Sequence, residues 1–214
     1  MKKALSYIWP LTRKYPTKYS GTLEVTWLNG KKVLDSKNAN YSYGSLEKVL
    51  DKGLSYCHAE RSSRVLVLGL GGGSVLDLLR KKYKYSGEIT AVEIDPAVIE
   101  IAKSQFNIER HTPLEIVCAN AYDFVKSSRL KYGLVVIDLF IDVSVPLRFF
   151  SSEFLENISA LLEPEGEVLF NAGIHQTHEA ETHQIVMANK PIKFRKIEYV
   201  NGSNTLLIGK KAVD

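Results

Sequence analysis

Residues 65–96 read VLVLGLGGGSVLDLLRKKYKYSGEITAVEIDP. An apolar run, Val65–Leu68, meets the glycine loop Gly69-Leu70-Gly71-Gly72-Gly73-Ser74, then an amphipathic segment, then a second apolar run ending on Glu93. The order is strand, loop, helix, strand. Glycines at 69, 71 and 73 let the backbone turn sharply and approach a ligand without interference from a Cβ atom, and the helix behind them presents its first N–H groups. Glu93 stands at the tip of the second strand, where a carboxylate can accept hydrogen bonds from both hydroxyls of a ribose. Together these features imply a bound nucleoside.

Working outward, apolar strands alternate with helical patterns from Arg64 onward. Strands are expected at 65–69, 88–93, 114–118, 133–138 and 166–171, and helices near 74–84, 96–105, 120–127, 151–162 and 178–189. Runs such as VLVLG and LVVID are apolar on both faces, which indicates a parallel sheet covered by helices on each side, a doubly wound α/β fold. FRKIEYV and NTLLIGK are joined by Asn201-Gly202-Ser203, a hairpin connection that places an antiparallel strand at the end of a seven-stranded, mostly parallel sheet. Ahead of this domain (61–214), residues 1–60 read as an appendage. TLEVTWL, the turn Asn29-Gly30 and KKVLDS form a hairpin, and Ser42–Cys57 carries Leu46, Val49, Leu50 and Leu54 at helical spacing, with Ser42 or Ser45 able to cap the first turn.

A chain of 214 residues with 45% hydrophobic and 24% charged residues can bury a full core, and no apolar run approaches the length of a membrane span. The opening MKKALSYIWP is interrupted too early to act as a secretory signal, so it is expected to belong to the fold. Cys57 and Cys118 have neither paired nor metal-ligand spacing, and Cys118 falls in a strand expected to be buried; a reducing cytoplasm is the expected compartment. Residues 1–60 hold ten Lys/Arg against five Asp/Glu, but these lysines are dispersed without a recognition motif, so a solvated face is expected rather than a nucleic-acid site. The exposed edges of the hairpin could pair with a second copy as a homodimer.

Gly69-x-Gly71-x-x-Ser74 falls short of the dinucleotide fingerprint at its third glycine. Gly69-x-Gly71-x-Gly73 and the terminal hairpin point instead to S-adenosylmethionine. In open α/β sheets, ligands bind beyond the carboxyl ends of strands, and Gly69, Glu93, Asn120 and Asp138 all stand at such ends.

With GLGGGS, AVEIDP, CANAYDF and YGLVVIDLF in matching order, the chain resembles the spermidine synthase-like branch of the class I methyltransferase superfamily over nearly its whole length. The resemblance implies a cofactor set of Gly69, Gly71, Gly72, Gly73, Ser74, Glu93, Ile94, Asn120, Ala121 and Asp138. In it, the loop wraps the methionine moiety, Glu93 holds the ribose, Asn120 and Ala121 border the adenine, and Asp138 faces the amino group or the sulfonium. Asn120, where the family more often has Asp, could accept from the adenine amino group and donate to a ring nitrogen.

The same resemblance shows what is missing for polyamine synthesis. The family's acid inside the glycine loop is Gly72 here, its Tyr-His-Glu stretch is reduced to Tyr43-Gly44-Ser45, and the second acid after the fourth strand is displaced to Asp142. An amine nucleophile needs a base and an anionic cradle, whereas methyl transfer makes lighter demands. The expected activity is therefore methyl transfer from S-adenosylmethionine to an unidentified small acceptor, with Asp138 and Asp142 as catalytic candidates. Aminopropyl transfer from decarboxylated S-adenosylmethionine is the alternative, and a noncatalytic nucleoside-binding protein of this fold is a third reading. Tyr41 and Tyr43 could form a lid. His175, His178 and His183 have poor spacing for zinc, since 178 and 183 lie about 140° apart around a helix, so no metal is expected.

Overall fold

The computed structural model of the chain describes residues 2–36, 40–188 and 191–212. A short helix α1 (Lys2–Leu5) leads into an antiparallel sheet of four strands, β1 (Leu11–Pro16), β2 (Thr22–Leu28), β3 (Lys31–Asp35) and β4 (Asn40–Ser42), in that spatial order. The expected β2–β3 hairpin is its centre, with Asn29 and Gly30 both at positive φ in the turn. β1 and β4 had no legible signal. β1 is charged and mostly exposed, ends in a proline suited to an edge, and alternates too weakly to announce itself. The expected turn before β4, Asn38-Ala39-Asn40, lies in part outside the described residues.

Helix α2 (Gly44–Leu54) buries Val49, Leu50 and Leu54 against the main sheet. That sheet contains β5 (Arg64–Leu68), β6 (Glu88–Glu93), β7 (Leu114–Cys118), β8 (Tyr132–Ile137), β9 (Leu162–Ile174), β10 (Ile192–Val200) and β11 (Asn204–Lys211), in the order β10-β11-β9-β8-β5-β6-β7. β11 is antiparallel to both neighbours, and the remaining pairings are parallel. Helices α3 (Ser74–Asp77), α4 (Pro96–Phe106), α5 (Ala121–Ser127), α6 (Ser152–Leu161) and α7 (Glu179–Met187) complete the fold.

Alternation along the central strands explains the two helical layers. Val65 and Val67 of β5 and Leu134 and Val136 of β8 join a core with α2, α3 and α4, while Leu66, Leu68, Val135 and Ile137 join another with α5 and α6. Leu23, Val25 and Leu34 of the front sheet belong to the first of these cores, so the appendage is packed into the main domain.

Three expectations change. The helix expected to 84 is α-helical only to Asp77 and continues as a π-helical turn over Leu78–Lys82. β9 begins at Leu162, because the turn-like Pro164-Glu165-Gly166 is absorbed as a bulge between the Tyr132↔Leu162 and Leu134↔Glu167 pairs. Cys118 is exposed, because β7 is an edge strand of the sheet.

Candidate functional site

From β5 the chain winds outward through β6 to β7, then returns to β8 on the opposite side of β5. The crevice that forms where winding reverses lies between the carboxyl ends of β5 and β8. There the Asp138 N–H donates to the Leu68 carbonyl at 2.9 Å, and the Gly69 N–H donates to the Val92 carbonyl at 2.9 Å. A cavity of about 320 Å³ opens at this point, lined by Gly69, Gly71, Glu93, Ile94, Asn120, Ala121 and Asp138 together with residues of α2, the 139–149 segment and Ile174. That size is within the range of small-molecule sites.

Glu93 is tied to the glycine loop. Its Oε2 accepts from the N–H groups of Leu70 (3.2 Å) and Gly71 (3.4 Å), and its Oε1 accepts from Asp95 N–H at 3.0 Å. Burial pushes its carboxyl above the usual range, and these backbone donors oppose the shift. Asp95 is fully buried, caps α4 through Ala97 N–H, and accepts from Tyr19 N–H at 3.1 Å, pinning a front loop beside the cavity.

Asn120 caps α5: its Oδ1 accepts from Tyr122 N–H at 2.9 Å. The carbonyl end of the amide is thus engaged in the fold, which turns Asn120 from the expected two-way adenine partner into a donor through Nδ2.

Asp138 has a partner that had not been expected. Asn171 of β9 is fully buried, donates through Nδ2 to Asp138 Oδ1 at 2.9 Å, and accepts through Oδ1 from Asn204 Nδ2 at 3.1 Å. Burial raises the Asp138 pKa to about 6, against the lowering effect of the Asn171 amide. A polar residue inside the apolar run VLFNAG was the available signal.

Gly72, Gly73, Ser74 and Asp142 do not line the cavity. A Cβ at Gly72 would lie 2.9 Å from Ser42 Cβ and 3.4 Å from the Phe106 ring, and one at Gly73 would lie 2.6 Å from Ile108. These glycines make room for neighbouring elements. Ser74 Oγ sits 2.6 Å from Ser42 Oγ and accepts from Tyr43 N–H at 2.5 Å, while Ser74 N–H donates to Ser42 Oγ. The helix-start donor at Ser74 is therefore used in docking the front sheet. Ser42 does not cap α2, whose N-cap residue is Tyr43. Tyr43 is no lid either: it stacks on Phe106 at 5.1 Å and points its hydroxyl to Gly72 O and Asp77, whereas the Tyr41 side chain lies outside the described residues. Asp142, at φ 54°, accepts from Ser36 Oγ at 3.2 Å, so the acid displaced by one residue in sequence lands on the front sheet.

The histidines separate. His175 approaches Thr205, His178 packs at a tilt against Phe150 and reaches Ser144, and His183 is exposed. His175, Glu179 and Glu198 do cluster, but Lys196 Nζ lies 2.7 Å from Glu179 and 2.8 Å from Glu198, supplying the cation these carboxylates need.

A seven-stranded sheet with one reversed strand and a ligand-sized cavity at its switch point defines the Rossmann-like methyltransferase fold. The Spermine/spermidine synthase domain matches residues 51–201, and the chain belongs to that family. It is similar to "Polyamine aminopropyltransferase 2" of Aquifex aeolicus, 34% identical over 123 residues, covering 53% of this chain and 24% of that protein. It is also similar to "N-terminal histidine N-methyltransferase" of Emericella nidulans, 34% identical over 119 residues, covering 53% of this chain and 20% of that one. The chain thus spans about a quarter or less of these two relatives' lengths. Among solved structures, human Methyltransferase-like protein 13 in complex with SAH superposes with a TM-score of 0.61 at 21% identity, over 79% of this chain and 82% of that one.

Proposed function

We propose that the chain is an S-adenosylmethionine-dependent transferase that moves a methyl group to a small acceptor. The observation that carries the reading is the pairing of Glu93 and Asp138 on opposite sides of Gly69, with no third carboxylate lining the cavity among the described residues. Bound S-adenosylmethionine supplies a methyl group activated by its sulfonium. Glu93 would accept from the ribose hydroxyls, exchanging some of its loop contacts for them. Asn120 Nδ2 would donate to an adenine ring nitrogen, with Ile94 and Ala121 against the base. Asp138 would hold the cationic end of the cofactor, which orients it and excludes water from the reacting centre. Free Cys57 and Cys118 support placing the protein in a reducing, cytoplasmic compartment.

Aminopropyl transfer to a diamine is the weaker alternative. An acid at position 72 would be built into Ser42 and Phe106, and Asp142 is committed to Ser36. Ile141 stands in the lining where the resemblance places the family's second acid, and neither Gly72 nor Asp142 reaches the cavity, so the lining lacks both of those carboxylates. The test is product analysis with each donor. S-Adenosylmethionine is expected to raise the melting temperature and to yield S-adenosylhomocysteine when a competent acceptor is added. Turnover of decarboxylated S-adenosylmethionine with putrescine would reverse the assignment, and no melting shift with either donor would remove it.

Asp138 also sets a pH dependence. Its carboxylate form attracts a cation and its acid form does not, and the folded protein makes the change near pH 6. Affinity for S-adenosylmethionine is expected to be level above that pH and to fall below it, approaching about tenfold per pH unit. Calorimetric titration between pH 5 and 8, on the scale set by this group, reads the effect directly; a flat profile would remove Asp138 from the binding set.

A further inference from the structure

The cavity lining divides by chemistry. The strand ends contribute both of its acids, Glu93 and Asp138. The segment after β8 and the end of β9 contribute a different surface: Phe140, Ile141, Val143, Phe149 and Ile174, with Arg148 among them. Ile141 and Ser144 exchange backbone hydrogen bonds (2.9 and 3.2 Å), a tight reversal that turns Ile141 and Val143 to the cavity while Asp142 between them goes to Ser36. Ile141 is 59% exposed, Val143 39% and Ile174 46%. Large apolar side chains gathered at the mouth of a cavity and left in water are a surface for an apolar ligand.

Charge decides the rest. Arg148 lies over the Phe149 ring, 4.9 Å from its centroid, and is in ion-pair contact with no carboxylate among the described residues. A planar guanidinium held against a ring and lacking an anion suits the carboxylate of a flat ligand. Both acids of the lining are committed in the transferase reading, Glu93 to the ribose and Asp138 to the cofactor's cationic end. The charge left to meet an acceptor is positive.

We propose that the acceptor is a flat, apolar molecule carrying a carboxylate, packed on the Phe140, Ile141, Val143 and Ile174 surface with its anionic group on Arg148, and that cationic amines are excluded. This inference rests on the transferase reading above and deepens it. It inverts the charge that an amine acceptor would need.

Benzoate and benzamidine share a ring and differ in the sign of their charge, so they test it directly. The full chain is first saturated with S-adenosylhomocysteine, and its binding of benzoate, benzamidine and putrescine is then followed by ligand-observed NMR. Benzoate is expected to bind, with benzamidine and putrescine weaker by about tenfold or more, because the charge-assisted hydrogen bond exists for the anion alone. In Arg148→Gln, benzoate is expected to weaken by about tenfold while affinity for S-adenosylhomocysteine is unchanged. Benzamidine or putrescine binding as tightly as benzoate, or no binding of benzoate at all, overturns the proposal. A fall in S-adenosylhomocysteine affinity in Arg148→Gln also overturns it, by assigning the guanidinium to the cofactor's own carboxylate. Failure of S-adenosylhomocysteine to bind the unaltered protein is a separate result: it removes the transferase reading and this inference with it.

Discussion

In Glu93→Ala, the melting-temperature shift produced by S-adenosylmethionine is expected to disappear while the unliganded protein stays folded. The carboxylate stands at the end of β6 and lines the cavity, in reach of a ribose lying across the strand tips. Two hydrogen bonds from hydroxyls to a charged acceptor contribute about 1.5–3 kcal/mol each, so their loss weakens binding by roughly a hundredfold or more. A second effect adds to the first. Glu93 also accepts from the N–H groups of Leu70, Gly71 and Asp95, so truncation releases the loop that must approach the cofactor. Truncation leaves those three N–H groups without their acceptor, and relief of the carboxyl's burial offsets part of that cost, so the unliganded protein is expected to melt lower but to stay folded. Glu93→Gln separates the two roles: the amide oxygen still accepts from one side of the loop, but the charge is gone. Intermediate affinity is expected for the glutamine and none measurable for the alanine by calorimetry. Unchanged affinity in both would displace the nucleoside from this strand end.

Gly69→Ala is expected to unfold the protein at a markedly lower temperature. An added Cβ would lie 2.1 Å from the carbonyl oxygen of Asp138, a backbone atom that cannot swing aside, and the residue sits at φ +93°. Adopting that conformation with a side chain costs about 1–2 kcal/mol. Moving the backbone also strains the Gly69 N–H to Val92 and Asp138 N–H to Leu68 bonds, which extend the ladders between β5 and its two parallel neighbours. The sum is about 3–5 kcal/mol, or a melting temperature lower by on the order of 10 °C for a chain of this length. Gly202→Ala is the control. Gly202 has φ +82° and nothing within 4 Å of an added Cβ, so it reports the conformational cost without the collision. Calorimetric melting of the two variants should show the larger loss for Gly69. Equal losses would mean that the β5–β8 contact yields easily.

The alternation of strands and helices in the main domain was legible because its causes are local. The buried positions of β5, β6 and β8 are apolar except for Thr90, and the glycine loop follows β5 directly. The same locality puts Glu93 and Asp138 in the cavity lining, since a residue at a strand's carboxyl end lies at the crevice whatever else packs nearby. Two strands of the front sheet escaped notice because short or charged edge strands carry no clear period. Roles within the loop escaped for a different reason. Glycine spacing shows where a backbone can bend, but Gly69 and Gly71 face the cavity while Gly72 and Gly73 face Ser42 and Ile108, partners more than 29 residues away in the chain. Asn171 was hidden in the same way: its meaning depends on Asp138, 33 positions before it.

The sequence by itself determined the doubly wound sheet, the reversed last strand and the strand ends at which a nucleoside would lie, because side-chain period and glycine placement act over a few residues. Tertiary structure alone decided which polar groups are committed inside the fold and which are left to a ligand. It turned Ser74 and Asp142 toward the front sheet, joined Asn204 and Asn171 to Asp138, and left Arg148 without an ion-paired carboxylate among the described residues, beside exposed apolar side chains. Those outcomes depend on contacts between distant segments, which burial and hydrogen-bond satisfaction settle only once the chain has closed on itself.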